Sequence, residues 1–162
     1  MGYAIAILGV FFGVAIAILL LKDKASKAIW RRRNPPEKLE AARRLYQARL
    51  LKPDWAFYER HLGRPIPQAI VALFGDAERL SSSYRFGDYF VAFAPLDAEG
   101  MAEAEWVLPG IVPFANSDGD PIFLRSGTSE RDAVFIAYHD GGGTDELAPS
   151  IETFLGQLQH AA

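Results

Sequence analysis

The chain has no cysteine. Disulfides and thiolate metal sites are therefore excluded, which suits a domain held in the reducing cytosol. Charge is missing from one end: none of residues 1–21 is Asp, Glu, Lys or Arg. A bilayer core takes roughly 20 consecutive apolar residues in a helix. A helix also satisfies its own backbone hydrogen bonds, as hydrocarbon demands. The basic start of a secretory signal is missing too, because here the basic residues follow the apolar run. Ala25 and Ala28 offer a small-residue cleavage pair, but it lies among lysines. The expectation is an uncleaved transmembrane helix over residues 1–21. Gly9 and Gly13 form a G-x-x-x-G pair, a weak basis for a homodimer through two such helices.

Acids are nearly absent from the next stretch. Lys22, Lys24, Lys27, Arg31, Arg32 and Arg33 face a single acid, Asp23. By the positive-inside rule this flank stays in the cytoplasm, and it favours anionic lipid headgroups. Residues 22–35 read as a basic juxtamembrane linker and residues 36–162 as one domain. The expected location is the inner (cytoplasmic) membrane, single-pass, with the C-terminal domain in the cytoplasm.

Bases are scarce at the far end. From Phe86 onward there are thirteen acids against Arg125 and Arg131. Residues 22–33 carry +5, and the whole chain −3, so the remainder carries −8. That balance excludes nucleic-acid binding, which needs a positive surface. It fits a basic protein partner, and equally an acidic surface kept for solubility.

Periodicity supplies the elements. After Asn34-Pro35-Pro36 a helix is expected from about Pro36 to Leu51, with Leu39, Ala42, Tyr46 and Leu50 on one apolar face. Pro53-Asp54 restarts a second helix carrying Trp55, Tyr58 and Leu62, stopped by Gly63. A third runs from Pro65 and Pro67 through Ile70, Leu73 and Phe74 to Gly75. Strands are expected over 84–94, 105–107, 111–115, 121–125 and 133–138, separated by Gly-, Asn- and Asp-rich turns. Ser150 caps a last helix with Ile151, Phe154, Leu155 and Leu158 at helical spacing. Helices, then a small mainly antiparallel sheet, then a helix make an α+β fold.

Ile111-Val112-Pro113-Phe114-Ala115, the Asp118-Gly119-Asp120 turn and Pro121-Ile122-Phe123-Leu124 resemble the signature of the SUKH superfamily, the Smi/Knr-type domains. A third strand ending in His139-Asp140 and a closing helix with Ser150, Phe154 and Leu155 continue the resemblance. Glu59, Leu62-Gly63 and Ile66-Pro67 resemble the family's helix junction. The likeness covers about residues 54–159 and departs where Gly75-Asp76-Ala77-Glu78 replaces the usual Asn-Gly-Gly. It implies a non-catalytic interaction module; many bacterial members look like immunity proteins that block a cognate toxin.

No assembled active site is legible. His61, His139 and His160 lie far apart, without metal-ligand spacing. His139-Asp140 has the form of a base with its orienting acid, but supporting groups are lacking. Asn116, Asp118 and Asp120 alternate like a calcium loop, yet Pro121 and Gly127 occupy the positions that need Gly and Glu. Gly141-Gly142-Gly143 precedes no phosphate-binding Lys-Ser/Thr and reads as a flexible loop. Ser81-Ser82-Ser83 lacks a nucleophile frame. Tyr84, Phe86, Tyr89, Phe90 and Phe93 fit core packing better than a stacking platform. The expectations are thus no catalytic, cofactor or metal residues, and a partner surface around Asp118, Asp120, Asp140, Asp145 and Glu146. A membrane-anchored immunity protein that captures a basic toxin domain leads. A tethered adaptor or regulator of envelope assembly, and a hydrolase using His139, are the alternatives.

Overall fold

The computed structural model describes residues 33–105, 107–108, 110–127 and 132–161. The expected transmembrane helix 1–21, with Gly9 and Gly13, and the basic residues Lys22 to Arg32 lie outside the described residues. Within the described residues no helix is long and apolar enough to cross a membrane. The chain divides into two compact units, residues 1–43 and 44–162.

Helix α1 spans Pro36–Leu50. Pro35 carbonyl oxygen accepts its first bonds, from Lys38 and Leu39 at 3.0 and 3.2 Å. The expected apolar face is only half used. Tyr46 and Leu50 pack inward, whereas Leu39 and Leu45 are exposed. Short helices follow where the caps predict them. Asp54 caps α2 (Trp55–Leu62) by accepting from Phe57 N–H at 3.0 Å, and Gly63 ends it in the left-handed region. Helix α3 is Gln68–Phe74. Asp76 then caps an unforeseen helix α4, Ala77–Ser81, accepting from Arg79 N–H at 2.9 Å. The departure from the family pattern at Gly75-Asp76 is therefore a helix start.

The run 84–94, expected as one strand, is a hairpin. Strands β1 (Tyr84–Phe86) and β2 (Tyr89–Phe93) pair around Gly87-Asp88. Gly87 takes φ +57, which the two-residue turn needs at its first position. The strand expected at 105–107 is absent; Glu105 instead ends helix α5, Ala98–Glu105. Asp97 caps that helix, with its carboxylate accepting from Gly100 N–H at 2.8 Å. Strands β3 (Ile111–Ser117), β4 (Asp120–Arg125) and β5 (Val134–Tyr138) fall near their expected places. The glycine loop is a further correction: Gly143 opens strand β6, Gly143–Ala148. Helix α6 (Ile151–Gln157) is capped by Ser150 as expected, and Leu158 lies just beyond it. A two-residue strand β7, Gln159–His160, closes the order.

Among the described residues seven strands form one sheet in the order β6-β5-β4-β3-β2-β1-β7, all pairs antiparallel. Strand alternation sends side chains to two faces. Val112, Phe114, Ile122, Leu124, Val134 and Ile136 face the main core with Tyr58, Leu62, Ile70 and Phe154 of the helices. Ile111, Phe123 and Ala137 face the other way, against Ala104 of α5. A bulge between Pro113 and Ala115 breaks the β3–β4 register, and Phe114 beside it meets Phe154 edge-on at 5.8 Å. Each fully buried side chain of this size contributes about 1.5–3 kcal/mol. Tyr58 is fully buried, and its hydroxyl donates to Val112 carbonyl oxygen at 3.3 Å. Burial pushes its phenol far above the ordinary tyrosine range.

Candidate functional site

Antiparallel order places the hairpins β1–β2, β3–β4 and β5–β6 at one end of the sheet. Their turns are short and acidic. Gly87-Asp88 makes the first. Asp118 and Gly119 make the second, both with positive φ (52 and 98). That is the mirror-image turn favoured by Asp-Gly, because its twist matches the flanking strands. Residues 139–142 make the third, with Asp140 accepting from Gly142 N–H at 3.1 Å. Asp88, Asp118 and Asp140 are exposed.

The expected acids separate into different roles. Asp118 and Asp140 sit exposed at turn tips, Asp140 bonded within its own turn, and Asp145 and Glu146 are exposed on β6. Asp120 is half-buried and structural: one oxygen accepts from His139 N–H at 2.9 Å and meets its ring Nδ1 at 2.5 Å. The His139-Asp140 pairing expected from the sequence does not form through that ring nitrogen; Asp120, on the neighbouring strand, takes the place. Asp145 accepts from Tyr138 hydroxyl at 2.9 Å. Tyr138 hydroxyl lies 2.8 Å from that of Tyr89. A carboxylate only accepts, so Tyr138 spends its proton on Asp145 and Tyr89 donates to Tyr138. The hydrogen bonds to Tyr89 and then to Asp145 push the Tyr138 phenol well above the ordinary range. Strands β2 and β5 are separated by β3 and β4 in the sheet order, so this contact spans two intervening strands. The relay Tyr89–Tyr138–Asp145 braces this end.

The other histidines stand elsewhere. His61 Nδ1 is 2.8 Å from Phe57 carbonyl oxygen, and the His160 ring lies 4.8 Å from that of Tyr84. Among the described residues no three His, Cys, Asp or Glu side chains converge as a metal site. Ser81 and Ser82 hydroxyls both donate to Glu78 carbonyl oxygen, at 2.9 and 3.0 Å. Of the aromatic run, Tyr84 and Phe93 are core, Phe86 and Tyr89 are half-buried, and Phe90 is 43% exposed beneath Arg85, 4.5 Å from its ring.

A groove of about 650 Å³ runs over the α5 side of the sheet. Its floor is Ile111, Phe123 and Ala137; Val107 and Leu108 wall one side, and Thr144 of β6 the other. Arg125 lies at its margin, with its guanidinium 4.3 Å over the Phe135 ring. Neither the groove nor Asp88 is visible in the pattern of apolar residues. Gly87-Asp88 between aromatic runs was the available signal, a hairpin dipeptide.

A family sequence model matches residues 36–157, from the start of α1 to the end of α6. The chain belongs to the SMI1/KNR4 family (SUKH-1). The match takes in every element from helix α1 to the closing helix α6 of this SUKH domain. No curated protein and no solved structure matches it.

Proposed function

We propose that this SUKH protein is a non-catalytic binding domain, tethered to the membrane by residues 1–21, that neutralises a basic toxin domain in the cytoplasm. The observation that carries the reading is the family match over residues 36–157, since the Smi/Knr-type resemblance implies interaction modules and immunity proteins. The acidic sheet end adds a physical reason for the partner's charge. Asp88, Asp118 and Asp140 project from three adjacent turns, and opposite charge speeds encounter while rejecting acidic competitors. Ser81 and Ser82 spend their hydroxyl protons on Glu78 carbonyl oxygen, on a different element from the Asp120–His139 pair.

Co-expression with any toxin domain found encoded beside it tests this directly. Protection of the cells, lost when residues 36–162 are removed, supports immunity. Growth arrest despite full expression overturns it. The apolar stretch with its basic flank favours a second reading, an adaptor that recruits a resident cytosolic protein to the bilayer. Capture of one envelope-assembly protein by the detergent-extracted chain, with no toxin gene adjacent, favours that one.

A further inference from the structure

The two edges of the sheet are unequal. Strand β7 offers two residues. Strand β6 offers six, Gly143–Ala148, pairs with β5 along one side, and among the described residues ends the sheet order on the other. Gly143, Thr144, Asp145 and Glu146 are all exposed. An open edge presents unpaired backbone donors and acceptors to any passing strand, and proteins guard such edges with charge. The guard here has one sign: Gly143–Ala148 holds Asp145 and Glu146 and no Lys or Arg. Against a second copy of β6 these acids stand beside like charges, which opposes pairing. Against a strand carrying Lys or Arg they attract.

The groove extends the edge. Thr144 lines it, and Glu146, two residues on, points to the same face of the sheet. Asp145 points to the other face, where Tyr138 holds it. An added strand alternates in the same way. Its groove-side residues lie beside Thr144 and Glu146, where a long apolar side chain reaches over Ala137 toward Phe123. The small residues Gly143, Thr144 and Ala137 leave the room for it.

We propose that β6 holds an extended basic segment of a protein partner by strand addition, with a Lys or Arg beside Glu146 and an apolar side chain in the groove. This rests on the protein-binding reading above and specifies how the partner is held.

A short capped peptide of alternating Val and Lys is the probe, added to the full chain in mild detergent. Backbone amide exchange is read residue by residue. Slowed exchange within residues 143–148, with shifted signals at Ala137 and Phe123, is the expected result. Glu146→Lys should weaken the peptide by about tenfold, and Glu59→Lys, on the exposed side of α2, should leave it unchanged. A peptide of the same charge with every backbone nitrogen methylated should not bind, because it cannot donate to the edge. Unchanged exchange in β6, equal binding of the methylated peptide, or shifts confined to the turns at Asp88 and Asp118 would each overturn strand addition. The probe needs no natural partner. Failure of toxin neutralisation therefore leaves a protected β6 standing, and an unprotected β6 sinks this proposal even where a toxin is neutralised.

Discussion

Arg49 and Asp97 form a two-pronged ion pair, Nε to Oδ2 at 2.8 Å and Nη2 to Oδ1 at 2.7 Å. The same carboxylate caps α5 through Gly100 N–H, so one side chain both starts that helix and ties the last turn of α1 to it. Tyr46 adds a second tie, donating to Phe93 carbonyl oxygen at 2.9 Å. The hydrogen bonds from Arg49 hold the Asp97 carboxyl below its ordinary range, against a smaller opposing effect of burial. A carboxyl depressed by folding stabilises the fold above its unfolded value, and that stability is lost as pH falls through the folded value. Asp97→Asn should cost about 1–3 kcal/mol near neutrality. The gap from the parent should close as the pH is taken into the acid range. Urea unfolding followed across pH checks both; a constant gap would show that the charge is not the cause.

Gly100 and Gly156 should respond in opposite directions to the same change. A Cβ on Gly100 falls 2.3 Å from Pro95 carbonyl oxygen, a backbone atom that cannot swing aside. Gly100→Ala should therefore destabilise by about 1–3 kcal/mol. Gly156 lies in helix α6, exposed, with nothing within 4 Å of a new Cβ. Gly156→Ala should stabilise by about 0.5–1 kcal/mol, chiefly by restricting the unfolded chain. Thermal midpoints of the two variants, compared with the parent, decide the matter.

Asp120 matters more than the histidine it holds. It accepts from a backbone amide as well as from the ring of His139. Removing the carboxylate leaves that amide without its acceptor; removing the ring leaves the amide bond in place. Asp120→Ala should cost about 1–3 kcal/mol and His139→Ala less. Neither loss should change any toxin-neutralising activity beyond its effect on folded protein. A His139→Ala protein that folds normally and loses activity entirely would revive the hydrolase reading.

What the sequence made legible follows the range of each signal. Caps are local, so Asp54, Gly63 and Ser150 announced their helices. The Pro113-Phe114-Ala115 segment and the Asp118-Gly119 turn were equally plain, because a buried strand and a mirror-image turn each restrict residue choice over a few positions. Helix α5 was hidden by its composition: Ala98–Glu105 has small and acidic residues, and its buried face includes Gly100, Met101 and Ala104, too few and too small to mark a helical stripe. Gly143–Ala148 was hidden because its first four residues are exposed on both faces and only Leu147 and Ala148 reach the core, which leaves no apolar alternation to show. The Tyr89–Tyr138 and Asp120–His139 contacts join residues 49 and 19 positions apart, which no spacing rule reaches. The site was thus readable as a set of acids, but its sorting into turn-tip, bracing and structural carboxylates required the fold.

The turn acids give the last prediction. Asp88, Asp118 and Asp140 stand at turn tips where side chains stay in water, so their contribution to contact energy is small and screened by salt. Their joint field instead acts before contact, on the encounter with a basic partner. Replacing all three by Asn should slow association by about tenfold at low salt and leave dissociation nearly unchanged. Raising the ionic strength should erase the difference between variant and parent, because a screening length of about 8 Å at physiological salt already cuts the long-range attraction. Stability should be unaffected for Asp88, whereas Asp118 holds φ +52 in its turn, and Asn tolerates that conformation as well as Asp does. Association kinetics by surface plasmon resonance, at low and high salt, separate the cases. A triple variant that dissociates faster but associates at the parent's rate would place these carboxylates inside the interface rather than in front of it.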